Sequence, residues 1–156
     1  MTKNNRNHNQ SALAILLDDH KKARELFQEY KAGSTAENKQ TIADEIYNEL
    51  QIHSRLEEDI FYPTMRVSPG EEEKLLIDTS LDDHQKILAK IEELEEMAVA
   101  NDMDAYDHKI QKLQTIVEHH VEVEENELFP EAEDKLGEEL IRMDQEMIKL
   151  RQELES

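Results

Sequence analysis

The sequence predicts an all-α protein: an up-down-up-down antiparallel four-helix bundle with an additional C-terminal helix. Composition is the first reason, because glycine and proline number three each and aromatic residues make up 4% of the chain, while good helix formers such as leucine, glutamate and lysine abound. Helix-capping signals also recur between long apolar-patterned segments, and short connections make consecutive helices antiparallel neighbours. The 156 residues suit one domain with a substantial core.

The first helix is expected to follow a flexible polar tail, residues 1–10. Ser11 is a suitable N-terminal cap because its hydroxyl can accept from a free backbone N–H of the first turn. The helix should then reach about Lys31, where Gly33 stops it.

The second and third helices begin at capping motifs. The stretch "STAE" (34–37) has the Ser-x-x-Glu form of a capping box and opens a second helix, which Pro63 should end at Tyr62. The stretch "SPGE" repeats the signal with Pro69 at the first helical position, and the third helix should end near Ala100.

The fourth helix is predicted to be capped by Asn101 or Asp102 and to end at Phe129. Pro130 should begin a fifth helix that runs to the C-terminus, with Gly137 as a weak point. The predicted organisation is therefore a tail, a bundle and a C-terminal helix, at residues 1–10, 11–130 and 131–156.

The fifth helix carries an apolar seam with alternating spacings of four and three residues. Such a seam either docks on the bundle, which we favour, or joins two subunits into a homodimer, so the chain is expected to be a monomer or a homodimer. The seam residues are Leu136, Leu140, Met143, Met147, Leu150 and Leu154.

Each bundle helix has an apolar stripe in 3–4 spacing that contains one histidine, and the second and fourth stripes also contain a glutamate. The stripes are Leu13, Leu16, His20, Ala23, Phe27, Tyr30; then Ile42, Ile46, Leu50, His53, Glu57, Ile60; then Ile77, Leu81, His84, Ile87, Ile91, Leu94; and finally Ile110, Leu113, Val117, His120, Glu124, Leu128.

The two halves of the chain repeat one design. "LDDHKK" (17–22) matches "LDDHQK" (81–86), and "HSRLEEDIFYP" (53–63) matches "HVEVEENELFP" (120–130). Each half therefore reads as a helical hairpin with a histidine on its first helix and a His-x-x-x-Glu-Glu motif before an aromatic-Pro ending. Two hairpins of this kind should face each other in the bundle.

The repeated histidines and glutamates predict a metal site inside the bundle. Residues four apart lie on one helix face, so each His-x-x-x-Glu pair can present a nitrogen and an oxygen to a common point. Buried ionised glutamates would cost several kcal/mol each unless a cation neutralised them. Four imidazoles and two carboxylates suit two metal ions bridged by the carboxylates, roughly 3.5–4 Å apart. The predicted ligands are His20, His53, Glu57, His84, His120 and Glu124.

A single histidine on an apolar face is more often a hydrogen-bonded core residue than a ligand. Four of them at repeated positions favour a shared site. His8, His108 and His119 are interpreted as solvent-facing or outer residues. His119 competes with its neighbour His120, and the alignment of the two aromatic-Pro endings selects His120.

Several other functions are excluded or disfavoured by the sequence. The net charge of −20 argues against nucleic acid or an anionic membrane as a partner, and the absence of cysteine excludes thiol and iron–sulfur chemistry. There is no Glu-x-x-His, His-Glu-x-x-His, P-loop or complete calcium loop. The run "ALAILL" (12–17) is too short to span a membrane, and no secretory signal precedes it, so a cytoplasmic protein is expected.

The chain resembles the hemerythrin family in its bacterial HHE cation-binding form over about residues 11–130. The resemblance rests on the six predicted ligands and on "FYP" and "LFP", which close the second and fourth helices. The resemblance implies an oxo- or hydroxo-bridged di-iron centre with Glu57 and Glu124 as bridges and four terminal histidines. Manganese and zinc suit the same kinds of ligand.

The chain departs from oxygen-carrying members of that family at two positions. Ser80 stands where they have an additional histidine, and Glu125 stands where they have an aspartate, which leaves the choice between Glu124 and Glu125 open although the repeat favours Glu124. Six protein ligands leave positions open for O2, nitric oxide or peroxide. The expected function is binding or reduction of such a ligand in sensing or scavenging, so an enzymatic activity is not decided. The alternatives are iron storage, donation or iron-centre repair without turnover, and plain oxygen storage.

Four carboxylates and two tyrosines accompany the predicted ligands in the sequence. Glu58 and Glu125 are interpreted as part of a solvated face rather than as partners of the ligands. Asp19 and Asp83 could accept an N–H from a neighbouring ligand, an expectation weakened because adjacent residues do not share a helix face. Tyr47 and Tyr62 are interpreted as ordinary core residues rather than neighbours of the metals.

Overall fold

The computed structural model describes residues 11–67 and 70–156, and within these ranges every regular element is helical, which confirms the all-α prediction. The predicted tail, residues 1–10, lies outside the described residues. The helices are α1 (Ala12–Ala32), α2 (Ala36–Leu56), α3 (Tyr62–Met65), α4 (Glu71–Glu95), α5 (Met103–Val123), α6 (Phe129–Leu136) and α7 (Glu139–Glu155).

Two helical hairpins form the bundle. The helices α1 and α2 pack along each other as the first hairpin, and α4 and α5 pack as the second. A five-residue π-helical turn follows α2 and another follows α5, at Glu57–Phe61 and Glu124–Leu128. A short 3-10 turn, Val99–Asn101, precedes α5.

Side-chain caps fix where the first, second and fourth long helices begin. The Ser11 hydroxyl accepts from the Ala14 N–H at 3.1 Å, as predicted. For α2 the cap is Thr35, whose hydroxyl accepts from the N–H of Asn38, so the capping box predicted from Ser34 is wrong by one residue. Asp102 caps α5, as one of the two predicted alternatives.

The third long helix begins at Glu71, immediately after Gly70. The carboxylate of Glu73 accepts from the Gly70 N–H at 2.6 Å, which satisfies a free donor at the helix start. The helix ends at Glu95, earlier than the predicted Ala100. The expectation for Pro69 concerns a residue that lies outside the described ranges.

Each π turn begins at one of the predicted bridging glutamates. The N–H of Tyr62 donates to the carbonyl of Glu57, and the N–H of Phe129 donates to the carbonyl of Glu124. These bonds span five residues instead of four, so each turn holds one residue more than an α-helical turn. Such turns occur frequently at functional sites.

The two prolines therefore do not end their helices, and the predicted ends at Tyr62 and Phe129 are wrong. Pro63 lies in the first turn of α3 and Pro130 in the first turn of α6. A proline has no N–H to donate and its ring collides with the carbonyl four residues earlier in a regular α-helix. The wider π turn before each proline provides the space that allows the helix to continue.

The break in the C-terminal region occurs at Gly137, not at Pro130. Gly137 has φ +49°, a backbone conformation that favours glycine, and α6 ends there. The C-terminal helix α7 then begins at Glu139. The region predicted as one helix is thus two, divided at the glycine that the sequence marked as a weak point.

Apolar clusters lie on both sides of a polar layer in the bundle. One cluster extends from Ala23 and Leu50 toward the 32–36 connection, and the other surrounds Leu16, Leu56 and α7. The predicted stripe residues are all buried except Ile42 and Leu81, which are half-buried. The histidines and glutamates of the stripes occupy the layer between the two clusters.

Helix α7 docks across α1 and α2, as the favoured interpretation of its seam predicts. Leu140, Met143 and Met147 are buried in the second apolar cluster. Among the described helices, none has the length and apolar character that crossing a membrane requires.

Candidate metal centre

The structure brings all six predicted ligands together in the polar layer. The helices α1, α2, α4 and α5 each contribute one histidine, and each π turn begins with one glutamate. All six side chains are buried, and the two glutamates are completely so. Their ligand atoms form two groups, each within 4.8 Å, that share Glu57: His20, His53, Glu57 and Glu124 in group A, and Glu57, His84 and His120 in group B.

Group A pairs each of two histidines with a carboxylate oxygen. His20 Nε2 lies 3.1 Å from Glu124 Oε1, and His53 Nε2 lies 3.2 Å from Glu57 Oε2. Despite these short distances, four buried atoms of this group make no hydrogen bond of acceptable geometry within the described residues: His20 Nε2, His53 Nε2, Glu57 Oε2 and Glu124 Oε1. Buried polar atoms normally have partners, so these four fit a bound cation.

Group B brings two imidazole nitrogens face to face. His84 Nε2 lies 3.2 Å from His120 Nε2 and 2.9 Å from Glu57 Oε1. His120 Nε2 also lies 3.4 Å from Glu124 Oε1. Glu57 thus directs one oxygen toward each group, and Glu124 Oε1 faces a histidine of each. Both glutamates therefore lie between the two groups, Glu57 with two oxygens and Glu124 with one.

An outer carboxylate faces the Nδ1 atom of each histidine. An ionised carboxylate can only accept a hydrogen bond, so it favours the imidazole form with its proton on Nδ1. The unprotonated Nε2 then faces the centre and can bind a metal. The pairs are His20 with Glu125 at 2.8 Å, His53 with Asp19 at 2.9 Å, His84 with Glu58 at 2.7 Å, and His120 with Asp83 at the longer distance of 3.8 Å.

The interpretation of Glu58 and Glu125 as a solvated face is therefore wrong. Each is half-buried and hydrogen-bonded to a ligand histidine of another helix. Asp19 and Asp83 face ligands of the neighbouring helix, as the weaker expectation suggested. The repeated "DDH" and "EE" pairs mark these carboxylates as chain neighbours of the candidate ligands, but the pairs do not show which histidine each carboxylate contacts.

Tyr62 belongs to the centre, which the sequence did not reveal. Its hydroxyl donates to Glu124 Oε2 at 2.6 Å, lies 3.0 Å from Glu57 Oε1 and lies 3.4 Å from His84 Nε2. Burial, followed by the charges of the two glutamates, raises the pKa of this phenol well above 10.0, so it holds its proton. Tyr47 instead bonds to Tyr106, within the first apolar cluster.

The electrostatics of the centre show how strongly its carboxylates attract positive charge. Burial alone would lower the pKa of His120, but Glu124, Asp83 and Glu57 outweigh it and raise that pKa to about 10. Burial would raise the pKa of Glu57, but the surrounding histidines hold it well below 4.5. Without a metal, protons must neutralise the layer, and a metal must displace them.

Two further histidines lie away from the centre. His108 and His119 are exposed, whereas His120 is buried in the polar layer, and His8 lies outside the described residues.

A small cavity adjoins the centre. All four ligand histidines line it, and its other walls include Leu50, Ile87, Val117 and Val121. Its volume is about 20 Å³, enough for roughly one water-sized molecule. The centre therefore adjoins a small space with apolar and polar walls and with room for a very small ligand.

Comparison with known proteins supports this assignment. Residues 11–132 match the family model described as the hemerythrin HHE cation-binding domain. A protein of Nostoc sp. (strain PCC 7120 / SAG 25.82 / UTEX 2576) named "DNA nickase" is 26% identical over 125 residues, which cover 80% of this chain and 34% of that protein. The chain thus spans about a third of that relative's length.

No solved structure matches the chain at a significant level. The family match, however, covers most of the chain and includes every histidine and glutamate of groups A and B. The protein therefore belongs to the hemerythrin HHE cation-binding family, whose members bind metal ions.

Proposed function

We propose that the protein holds a non-heme di-iron centre that binds or reduces O2, nitric oxide or peroxide. His20, His53, Glu57 and Glu124 would hold one iron, and Glu57, His84 and His120 the other, with Glu124 as the second bridge. The observation that carries the proposal is the sharing of Glu57 by two buried groups of ligand atoms. When bound, the iron pair would supply electrons and open coordination positions to the small ligand.

The ligand atoms suit iron, because imidazole nitrogens and carboxylate oxygens are its usual protein ligands in such centres. The outer carboxylates make each imidazole a stronger donor and fix its orientation. Six protein ligands for two metals leave room for an additional small molecule.

The cavity supports a diatomic or similarly small ligand. Leu50, Ile87, Val117 and Val121 give it an apolar part, and its volume of about 20 Å³ suits a molecule of roughly the size of water. Binding in such a space removes the ligand from competing reactions with solvent.

Tyr62 supports reduction in addition to binding. Its hydroxyl contacts the oxygens of Glu57 and Glu124, the two glutamates that would hold the irons, although Tyr62 does not itself line the cavity. Reduction of O2 or peroxide consumes protons, and a hydroxyl fixed beside both glutamates can donate a hydrogen bond in that step. We assign Tyr62 the role of holding that proton.

The proposal treats residues 11–130 as the metal-binding bundle and 131–156 as its supporting segment. It includes no action on DNA, because the region shared with the relative named DNA nickase is about a third of that protein. The net charge of −20 also opposes approach to a phosphate backbone.

The test is metal content per chain on anaerobically purified protein, followed by the visible spectrum when air, nitric oxide or peroxide is added. Two irons and new charge-transfer bands that change with one of these ligands would support the proposal. Two irons that pass rapidly to a chelator and give no reaction would favour iron storage or donation. Zinc alone, or a single weakly held metal, would contradict the proposal.

A further inference from the structure

Arg151 connects the C-terminal helix to the centre. Its Nη2 atom lies 2.6 Å from both oxygens of Asp19, and its Nη1 atom lies 3.5 Å from Glu49 Oε1. The Arg151 side chain is 22% exposed, whereas the two carboxylates are buried. A guanidinium in contact with two buried carboxylates is held firmly, and it holds them in return.

The contact continues to a ligand of group A. Asp19 Oδ2, which accepts from Arg151, also accepts from His53 Nδ1 at 2.9 Å. The structure thus contains a continuous series of contacts from α7 through Asp19 and His53 to the metal-facing Nε2 atom. The residues at its two ends are 98 positions apart in the chain.

The other outer carboxylates are held less firmly. Glu125 has a single contact with Arg24 at 3.3 Å, and that arginine is 46% exposed. No lysine or arginine among residues 11–67 and 70–156 lies within 4.0 Å of Glu58 or Asp83. The position of His53 therefore depends on α7 in a way that the positions of the other three histidines do not.

The same arginine contacts two residues of the cavity wall. Asp19, Glu49 and His53 are among the residues that line the cavity. Arg151 contacts the first two of these residues and joins them across the two helices. Loss of the guanidinium would remove the contact that joins these two carboxylates and would leave Glu49 its contact with the exposed Lys22 at 3.3 Å.

We propose that Arg151 is a positioning residue of the metal centre, which acts through Asp19 to fix the imidazole of His53 and so retain the metal of group A. The proposal rests on the metal-binding role proposed above, but not on any reaction of the metal. It makes the docking of α7 a condition for full occupancy of the centre.

The main test compares the rate at which a chelator removes iron from the wild-type protein and from variants. We expect Arg151→Met to lose one iron of the two about tenfold faster, since removal of an outer partner typically weakens metal binding by 10–100-fold. Arg24→Met is the matched control, because it also removes an arginine from an outer carboxylate, and its rate should stay within about twofold of wild type. An unchanged rate in Arg151→Met, or an equal acceleration in Arg24→Met, would overturn the proposal.

A double-mutant cycle separates this role from a general effect on α7. If Arg151 acts through Asp19, Arg151→Met should add nothing to the rate already reached by Asp19→Asn. Independent, multiplied effects of the two substitutions would mean that the arginine acts elsewhere, and would contradict the proposal.

A measurement on the metal-free protein keeps the inference distinct from the proposed function. The His53 Nδ1–H proton, observed by NMR, should exchange with solvent faster in Arg151→Met than in wild type, while the His20 Nδ1–H proton should not change. A di-iron protein that does not react with small ligands would contradict only the proposed function. Unchanged exchange at His53 would contradict only the role of Arg151.

Discussion

Tyr62 and Phe129 occupy equivalent positions at the ends of the two repeated motifs, yet their rings meet the centre differently. Tyr62 donates its hydroxyl proton to Glu124 at 2.6 Å, whereas Phe129 stacks on His20 with a ring separation of 5.6 Å. The candidate ligands are therefore related by the repeat, whereas the aromatic residues that contact them are not. This difference at one position is the basis of the first prediction.

Tyr62→Phe should retain both metals but react more slowly with peroxide, by at least tenfold, because the centre loses its positioned proton. The measurement is the rate of the spectral change after peroxide is mixed with the iron-loaded protein. Tyr47→Phe is the control, since that hydroxyl bonds to Tyr106 away from the centre. Equal rates in wild type and Tyr62→Phe would refute the assigned role.

His53→Ala and Glu124→Ala should each lose metal and stability together. A metal at a thousandfold excess over its Kd stabilises the folded state by about 4 kcal/mol, and that contribution disappears when binding is lost. Metal analysis and thermal melting with and without iron would measure both effects. His119→Ala, which removes an exposed histidine beside a ligand, should change neither. Full occupancy in the two ligand variants would be incompatible with groups A and B as metal sites.

Glu58→Ala should weaken metal binding by about 10–100-fold, because His84 loses the carboxylate that fixes its ring. A competition titration with a coloured chelator would measure the change. Glu122→Ala provides the control, since Glu122 is an exposed glutamate on α5 without a place in the centre. An affinity like that of wild type would mean that the outer carboxylate does not support the ligand.

Acid stability should depend on Glu73. Hydrogen bonds from Lys135 and from the Gly70 N–H lower the pKa of Glu73 from 4.5 to about 2. A carboxyl with a lowered folded-state pKa stabilises the fold above its unfolded pKa, and this contribution is lost as the pH falls from about 4.5 to about 2. Lys135→Met should therefore be less stable than wild type at neutral pH and should approach it at pH 2–3.

Thermal melting of the metal-free proteins across this pH range would test that expectation. Lys149→Met, on the exposed face of α7, controls for the general effect of removing one positive charge from an acidic protein. A difference between Lys135→Met and wild type that persists unchanged at low pH would show that the ion pair is not its cause.

The placement of the six candidate ligands could be predicted from sequence because it depends on patterns that helices preserve. His53 and Glu57 share a face by their spacing of four, and the repeat identified the corresponding residues His120 and Glu124. The apolar stripes placed these residues inside the bundle, where the structure has them. Regular α-helical geometry was sufficient for this part of the site.

Tyr62 could not be predicted from the same geometry. In an uninterrupted α-helix it would point about 140° away from Glu57, five residues earlier. The π turn over Glu57–Phe61 reduces that angle and brings the hydroxyl back to the glutamate. The same turn explains why Pro63 does not end the helix, so both errors have one cause.

The contacts of Glu58 and Glu125 were missed for a different reason. The contact from Glu58 to His84 and the contact from Glu125 to His20 cross between the two hairpins, and sequence spacing carries no information on such distances. Only the relative placement of the hairpins decides whether these glutamates meet water or a ligand.

The joining of two similar hairpins in one chain has a consequence for how this centre can change. In a symmetric dimer of a single hairpin, every substitution would appear twice around the metals, and a tyrosine at the end of one motif would require a tyrosine at the other. A single chain removes that restriction, since each hairpin has its own copy of the coding sequence. The pair Tyr62 and Phe129 shows the result. The candidate ligands are present in both hairpins, but the hydroxyl that contacts them comes from the first hairpin alone.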